Sequence, residues 1–318
     1  MVRTRAFDAK AIALQRTGRL GTYASSLGQE ALAIGVASAM AASDVLLPSF
    51  REHGAQLWRG VTIQELLLYW GGDERGNDFA GPREDFPNCV PVGSHAPHAV
   101  GVALAFKLRG EQRAAVCIFG DGATSKGDVA EALNMAGVWN LPVVFVVSNN
   151  GWAISVPVSK QTAARTLAQK AIAAGISGEQ VDGNDVIAVR AITERALARA
   201  RDELGPSLIE AVTYRLCDHT TSDDASRYRD DAEVSRHWSA EPLARLRNFL
   251  TNSGFWDRDK EEALLRECNS AIEQAAAEYL ATPAQPASAI FDYVYAEAPA
   301  ELIEQREAAN AFMRGQHD

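Results

Sequence analysis

Two short, continuously apolar runs, Ala114-Ala-Val-Cys-Ile-Phe119 and Val143-Val-Phe-Val-Val147, most constrain what this chain can fold into. A run with no polar alternation is what a central strand of a parallel sheet shows, because both of its faces are covered. Between the runs lies a helical pattern through Val129, Leu133 and Val138, with Ser125 placed to cap it. Leu141-Pro142 then separates the helix from the second run. Strand, helix and strand make a βαβ unit, with parallel strands and a right-handed crossover. Their carboxyl ends therefore share one edge of the sheet, where open α/β folds bind ligands.

That edge collects the unusual residues. The first run ends in Gly120-Asp121-Gly122, and the second leads into Asn149-Asn150. A carboxylate and a carboxamide from neighbouring strands are oxygen donors of the kind a hard divalent cation takes when phosphate and water complete its shell. Gly120 and Gly122 permit close backbone approach to a phosphate, and the helix starting near Ser125 adds unpaired amides. Asn149 also has a plainer reading, as a strand-end residue bonded to its own loop.

The remaining pattern alternates in the same way. It is helical up to Trp70, with an apolar helix at Glu30–Met40 and Thr62 capping Ile63–Trp70. A Gly, Asp and Pro-rich loop covers 71–91, and an almost wholly apolar helix covers 98–108. A further helix starts at Asn184 or Asp185 and runs to Arg201, and Ser207–Thr213 reads as a strand. From Asp230 the chain is helical and polar-faced, including a long helix at 257–281. The expected architecture is thus α/β, a mostly parallel sheet flanked by helices with helical N- and C-terminal additions. The expected division is an α/β ligand-binding domain at 1–230 and a helical extension at 231–318, packed on that domain or on a partner. The aromatic tail around Phe291, Tyr293 and Tyr295 reads equally as a cover for its own core or as a subunit contact.

A net charge of −10 over 318 residues argues against nucleic-acid or anionic-membrane partners. Cys89, Cys117, Cys217 and Cys268 form no CxxC pair or dense framework, which points to a reducing, cytoplasmic setting. No apolar run follows Arg3 and Arg5 that would make a signal peptide, and no stretch is long enough to span a membrane. The chain opens inside a helical pattern (Phe7, Ile12, Leu14), which leaves room for a segment upstream.

Gly120-Asp121-Gly122 followed by Asn149-Asn150 resembles the thiamine diphosphate motif that begins GDG and ends NN. With Glu131-Ala-Leu-Asn134-Met-Ala136 and Gly151-Trp152-Ala-Ile-Ser155, the chain resembles the alpha subunits of the decarboxylating first component of 2-oxo acid dehydrogenase complexes. Three further segments extend the likeness over nearly the whole chain: Phe50-Arg51-Glu52-His53, Pro91-Val92-Gly93-Ser94-His95, and the loop from Tyr214 to Arg229.

The resemblance implies a thiamine diphosphate fold, with Asp121, Asn150 and the Trp152 carbonyl as protein ligands of Mg²⁺. It implies cofactor contacts from Phe50, Arg51, Gly122, Ala123 and His219, and main-chain contacts to the aminopyrimidine from Val90 and Val92. His219 takes the place of the catalytic histidine. Relatives carry Tyr at the Phe50 position, often at the Trp152 position, and several carry Phe where Thr22 stands. It further implies an enzyme active only with a beta subunit that supplies a glutamate to the aminopyrimidine, as two alpha and two beta chains. The product acyl group would pass to a lipoyl-bearing acyltransferase. The substrate is a small 2-oxo acid; pyruvate is favoured, with branched-chain 2-oxo acids and acetoin as alternatives.

Rival readings have less support. A nicotinamide-binding sheet would need GxGxxG where this chain has Gly-Asp-Gly-Ala-Thr-Ser, and an acidic side chain there would repel a bare pyrophosphate. A non-catalytic scaffold of the same fold would not need Asp121, Asn150, Arg51 and His219 together. His95 and His98, three apart, suggest a metal pair, but the apolar helix after them offers no third ligand and favours structural roles; His95 could instead line the substrate entrance.

Overall fold

The structure, a computed structural model, describes residues 1–292 and 294–314. The strands are β1 (Val45–Leu47), β2 (Ala115–Gly120), β3 (Val143–Asn149), β4 (Trp152–Ala153), β5 (Val156–Pro157), β6 (Ser177–Asp182) and β7 (Ser207–Val212). Five of them form one sheet in the order β1-β2-β3-β7-β6, and every pairing in it is parallel. β4 and β5 make a small antiparallel hairpin just beyond the end of β3.

Side-chain alternation along β2 and β3 divides the core into two layers. Cys117, Phe119, Phe145 and Val147 face the helices His95–Arg109 and Gly127–Trp139, meeting Ala99, Ala103, Leu133 and Ala136. Val116, Ile118, Val144 and Val146 face the helices Glu30–Ala39 and Val186–Arg201, meeting Val36, Ala37, Val189 and Leu197. Each large side chain buried in these layers contributes roughly 1.5–3 kcal/mol. Helix and sheet approach closely because the facing residues are small. A Cβ on Gly35 would lie 2.6 Å from Cγ1 of Val189.

Several expectations change in detail. Thr62 caps Ile63–Trp70 through a reciprocal bond set with Glu65, and Asp185 caps Val186–Arg201. Ser125 caps nothing: residues Asp121–Ser125 form a 3-10 turn, and the helix begins only after Lys126. The turn keeps the backbone after β2 tightly coiled, which displaces the helix cap by one residue, to Lys126. Within the stretch expected to be helical up to Trp70, Val45–Leu47 is a strand, and it seats against β2. β6 was not foreseen; as the sheet's edge it is largely exposed and needs no apolar pattern.

The chain divides into two compact units, Met1–Ala276 and Ala277–Asp318. The first holds the sheet, its flanking helices, and the helices Asp231–Trp238 and Pro242–Asn252. Arg5 reaches the latter through an ion pair with Glu241 at 2.8 Å. The second unit includes the helix Ala300–Arg314 and a 3-10 turn at Ala287–Phe291. Of the aromatic tail, Tyr295 is exposed, and Tyr293 lies outside the described residues. Among the described residues, no helix is long and apolar enough to cross a membrane.

Candidate active site

The in-register pairing of Gly120 with Ser148 places Asp121 and Asn150 at the carboxyl ends of adjacent parallel strands. A cavity of about 530 Å³ opens at this edge. Its lining includes Asp121, Gly122 and Ala123 from the turn after β2, and Asn150 and Trp152 from the end of β3 and the hairpin. Phe50, Arg51, Val90, Val92 and His219 complete the wall from three separate loops. All ten residues singled out from the sequence therefore face one space.

Asp121 is 1% exposed. Burial raises its carboxyl pKa; the Gln161 amide, the N–H groups of Asp121 and Asn150, and the charge of Arg215 oppose that rise. Its side-chain hydrogen bond comes from a neutral amide, Gln161 Nε2, at 2.8 Å. These donors are all neutral, and a buried anion without an ion pair is costly. A divalent cation beside Asp121 would remove that cost, so the donor set fits one.

The Asn150 side chain is tied at both ends. Oδ1 accepts from the Trp152 N–H at 3.2 Å, and Nδ2 donates to Gln29 Oε1 at 3.1 Å. One lone pair of Oδ1 stays available for a cation. Asn149 turns away, donating to Glu210 at 2.7 Å and accepting from the Gly151 N–H at 3.2 Å. Gly122 lies under the hairpin, where a Cβ would come 2.7 Å from that of Ala153. Glycine is therefore required to keep the turn open.

Two arginines frame His219. Arg51 Nη2 lies 2.8 Å from His219 Nδ1, and Arg215 Nη1 lies 3.3 Å from it. Guanidinium groups only donate, so Nδ1 is the acceptor and the ring proton sits on Nε2. Burial, followed by the charges of Arg51 and Arg215, pushes the His219 pKa down to about 4. Arg215, fully buried, also donates to the carbonyls of Trp152 at 3.3 Å and Ile154 at 2.8 Å. The backbone N–H of His219 is held by Asp223 at 2.9 Å, and Asp223 in turn accepts from the Tyr228 hydroxyl.

Behind Arg51, Nη1 donates to the Ser25 carbonyl at 2.7 Å. Ser25 is fixed by buried Asp8, which accepts from Ser25 Oγ at 2.8 Å, from the Ser26 N–H at 2.8 Å and from the Tyr23 hydroxyl. His95 also lines the cavity; its Nε2 donates to the Ile118 carbonyl at 2.8 Å, and His98 stacks on Phe86 at 6.2 Å. Among the described residues, no cluster of three His, Cys, Asp or Glu could hold a metal. That is compatible with a set built from one carboxylate, one amide and one carbonyl.

The sequence profile of the dehydrogenase E1 component matches residues 1–288. The chain belongs to the dehydrogenase E1 component family. It is of the 2-oxo acid dehydrogenase E1 alpha type, in a thiamine diphosphate-dependent family. It is 43% identical over 311 residues to the 3-methyl-2-oxobutanoate dehydrogenase subunit alpha of Mycobacterium tuberculosis, covering 98% of this chain and 85% of that one. It is 41% identical over 308 residues to the pyruvate dehydrogenase E1 component subunit alpha of Staphylococcus aureus, covering 96% and 83%. Within this E1 alpha chain, sequence reasoning missed Gln29, Gln161 and Arg215. Gln29 and Gln161 act on Asn150 and Asp121 from elements distant in sequence, and Arg215, four residues from His219, also reaches the Trp152 carbonyl across the fold, so only tertiary packing shows these contacts. The one available signal was a glutamine heading the otherwise apolar, small-residue helix Glu30–Ala39.

Proposed function

We propose that this chain, completed by a beta-type subunit, performs the thiamine diphosphate-dependent decarboxylation of a short 2-oxo acid and hands the acyl group to a lipoyl-bearing acyltransferase. The observation that carries this reading is the convergence of Asp121 and Asn150, from neighbouring strand ends, on a cavity that also holds Arg51 and His219. Asp121, Asn150 and the Trp152 carbonyl hold Mg²⁺. Arg51, His219 and the backbone at Gly122 and Ala123 hold the diphosphate; Val90 and Val92 meet the aminopyrimidine through their main chain, and Phe50 adds an apolar contact. When bound, thiamine diphosphate supplies the carbanion chemistry that releases CO₂.

The chain's own residues orient and exclude. Arg51 brings a planar, permanently charged fork suited to phosphate oxygens. His219, neutral with its proton on Nε2, has that atom as a donor to offer a bound group, while Arg51 and Arg215 fix the ring through Nδ1. A positioned donor of this kind contributes ~10²–10⁴-fold to proton-transfer steps. Phe119 and Trp70 add apolar surface to the cavity wall.

Pyruvate is the substrate we assign. A second reading, a branched 2-oxo acid, is favoured by the small side chains of Thr22 and Ala24 in the cavity wall. Steady-state kinetics of the chain assembled with its beta partner, on pyruvate and on 3-methyl-2-oxobutanoate, separates the two. Robust decarboxylation by the chain without a partner would overturn the shared site. For the metal, Asp121→Asn is expected to weaken Mg²⁺-dependent thiamine diphosphate binding by more than ~10-fold. Unchanged calorimetric affinity would remove Asp121 from the site.

A further inference from the structure

Gln29 is 4% exposed, yet it belongs to the cavity wall. It stands immediately before the helix Glu30–Ala39, on the opposite side of the sheet from the helix that follows the Asp121 turn. Its Oε1 accepts two hydrogen bonds, from Asn150 Nδ2 at 3.1 Å and from Ser148 Oγ at 3.0 Å. Its Nε2 is buried and has no hydrogen-bond partner. An orphaned buried amide donor is costly, and a well-packed protein leaves one where a ligand or water completes it.

The carboxamide of Asn150 has two ends of similar size, and a cation can use only the oxygen. The Trp152 N–H favours one orientation, with Oδ1 toward the hairpin. A single amide–backbone bond at 3.2 Å is a weak lock. Gln29 Oε1, held by the Ser148 hydroxyl, favours the same orientation, because against it the reversed amide would set two carbonyl oxygens together.

We propose that Gln29 is a positioning residue whose Oε1 fixes the Asn150 amide with its oxygen available to the cation, while its Nε2 donates to an anionic oxygen of the diphosphate. The inference rests on the metal role assigned above to Asp121 and Asn150. Ser148 serves the same end indirectly. Its hydroxyl takes the second lone pair of Gln29 Oε1, so that oxygen has no capacity left for the cation and does not compete with Asn150.

The two functions of Gln29 separate in two variants. Gln29→Leu removes acceptor and donor; Gln29→Glu keeps the acceptor oxygens for Asn150 and Ser148 but loses the donor and repels a phosphate. Both are prepared as the assembled alpha–beta complex, with Mn²⁺ as a paramagnetic stand-in for Mg²⁺. Electron paramagnetic resonance reads the Mn²⁺ concentration for half-saturation at saturating thiamine diphosphate, and calorimetry reads thiamine diphosphate affinity at saturating Mn²⁺. Gln29→Leu is expected to raise both half-saturation values by ~10–100-fold, the usual effect of losing a partner that orients a metal ligand. Gln29→Glu is expected to keep the Mn²⁺ requirement near that of the unaltered complex and to weaken thiamine diphosphate binding.

An unchanged Mn²⁺ requirement in Gln29→Leu would overturn the proposal. So would a loss of Mn²⁺ affinity in Gln29→Glu, which remains informative if the leucine variant does not fold. Asp121→Asn and Asn150→Ala are measured alongside. If they also leave the Mn²⁺ requirement unchanged, the metal assignment itself fails; if they abolish Mn²⁺ binding while Gln29→Leu does not, only the role of Gln29 fails.

Discussion

Arg215 Nη1 lies 3.3 Å from both the Trp152 carbonyl oxygen and His219 Nδ1. One buried cation thus links the hairpin beyond β3 to the loop that carries the histidine. Burial pushes the Arg215 pKa down, but it remains a guanidinium at any working pH, so the His219 ring meets a fixed positive charge on its acceptor side.

The first consequence concerns protonation. With its pKa lowered from 6.5 to about 4, His219 stays neutral through the range where an ordinary imidazole charges. Because the folded value lies below the unfolded one, acid favours the unfolded form at this group, and its contribution to stability is lost as pH falls from about 6.5 toward 4. Arg215→Met removes one of the two opposing charges, and the His219 midpoint, followed by NMR of the ring protons, is expected to rise toward 6.5. A midpoint that stays near 4 would place the cause in burial and Arg51 alone.

Asp8 behaves in the opposite sense. Burial raises its carboxyl to about 6, against the lowering effect of the Tyr23 and Ser25 hydroxyls. The folded value exceeds the unfolded 3.8, so the protonated acid suits the fold, and stability drawn from it is lost as pH rises from about 4 to 6. At ~1.4 kcal/mol per unit, the swing is on the order of 3 kcal/mol. Asp8→Asn should flatten that part of the pH profile in urea denaturation. An identical slope in the variant would show that Asp8 titrates normally.

Gly122→Ala is expected to destabilise the chain by ~1–3 kcal/mol, the typical cost of overpacking. It should also weaken thiamine diphosphate binding, because the added methyl drives the Ala153 backbone and the turn apart. The second-site change Ala153→Gly removes the opposing Cβ and should recover most of both losses. Failure of the double variant to recover would mean that residue 122 is constrained by something other than this contact.

Much of this arrangement was legible in the residues, for reasons that also explain what was not. β2 and β3 are central strands covered on both faces, so burial demanded apolar runs, and their loops carried the Asp121 and Asn150 signal. β6 reads Ser-Gly-Glu-Gln-Val-Asp because an exposed edge makes no such demand. β1 has three residues, too few for any periodicity. The cap expected at Ser125 failed because the turn after Asp121 closes first through 3-10 bonds. Gln29, Gln161 and Arg215 were invisible for another reason: each works through a contact with a residue far away in the chain, and no local spacing records it.

The pairing of Gly120 with Ser148 has one more consequence. Asp121 and Asn150 are carried within two residues of hydrogen-bonded sheet, so their separation is inherited from the strand ladder and not negotiated by mobile loops. Sliding β2 by a single residue against β3 would invert which side of the sheet each side chain addresses and carry the carboxylate away from the amide. Chemistry and architecture therefore share one failure mode, the register of β2 against β3.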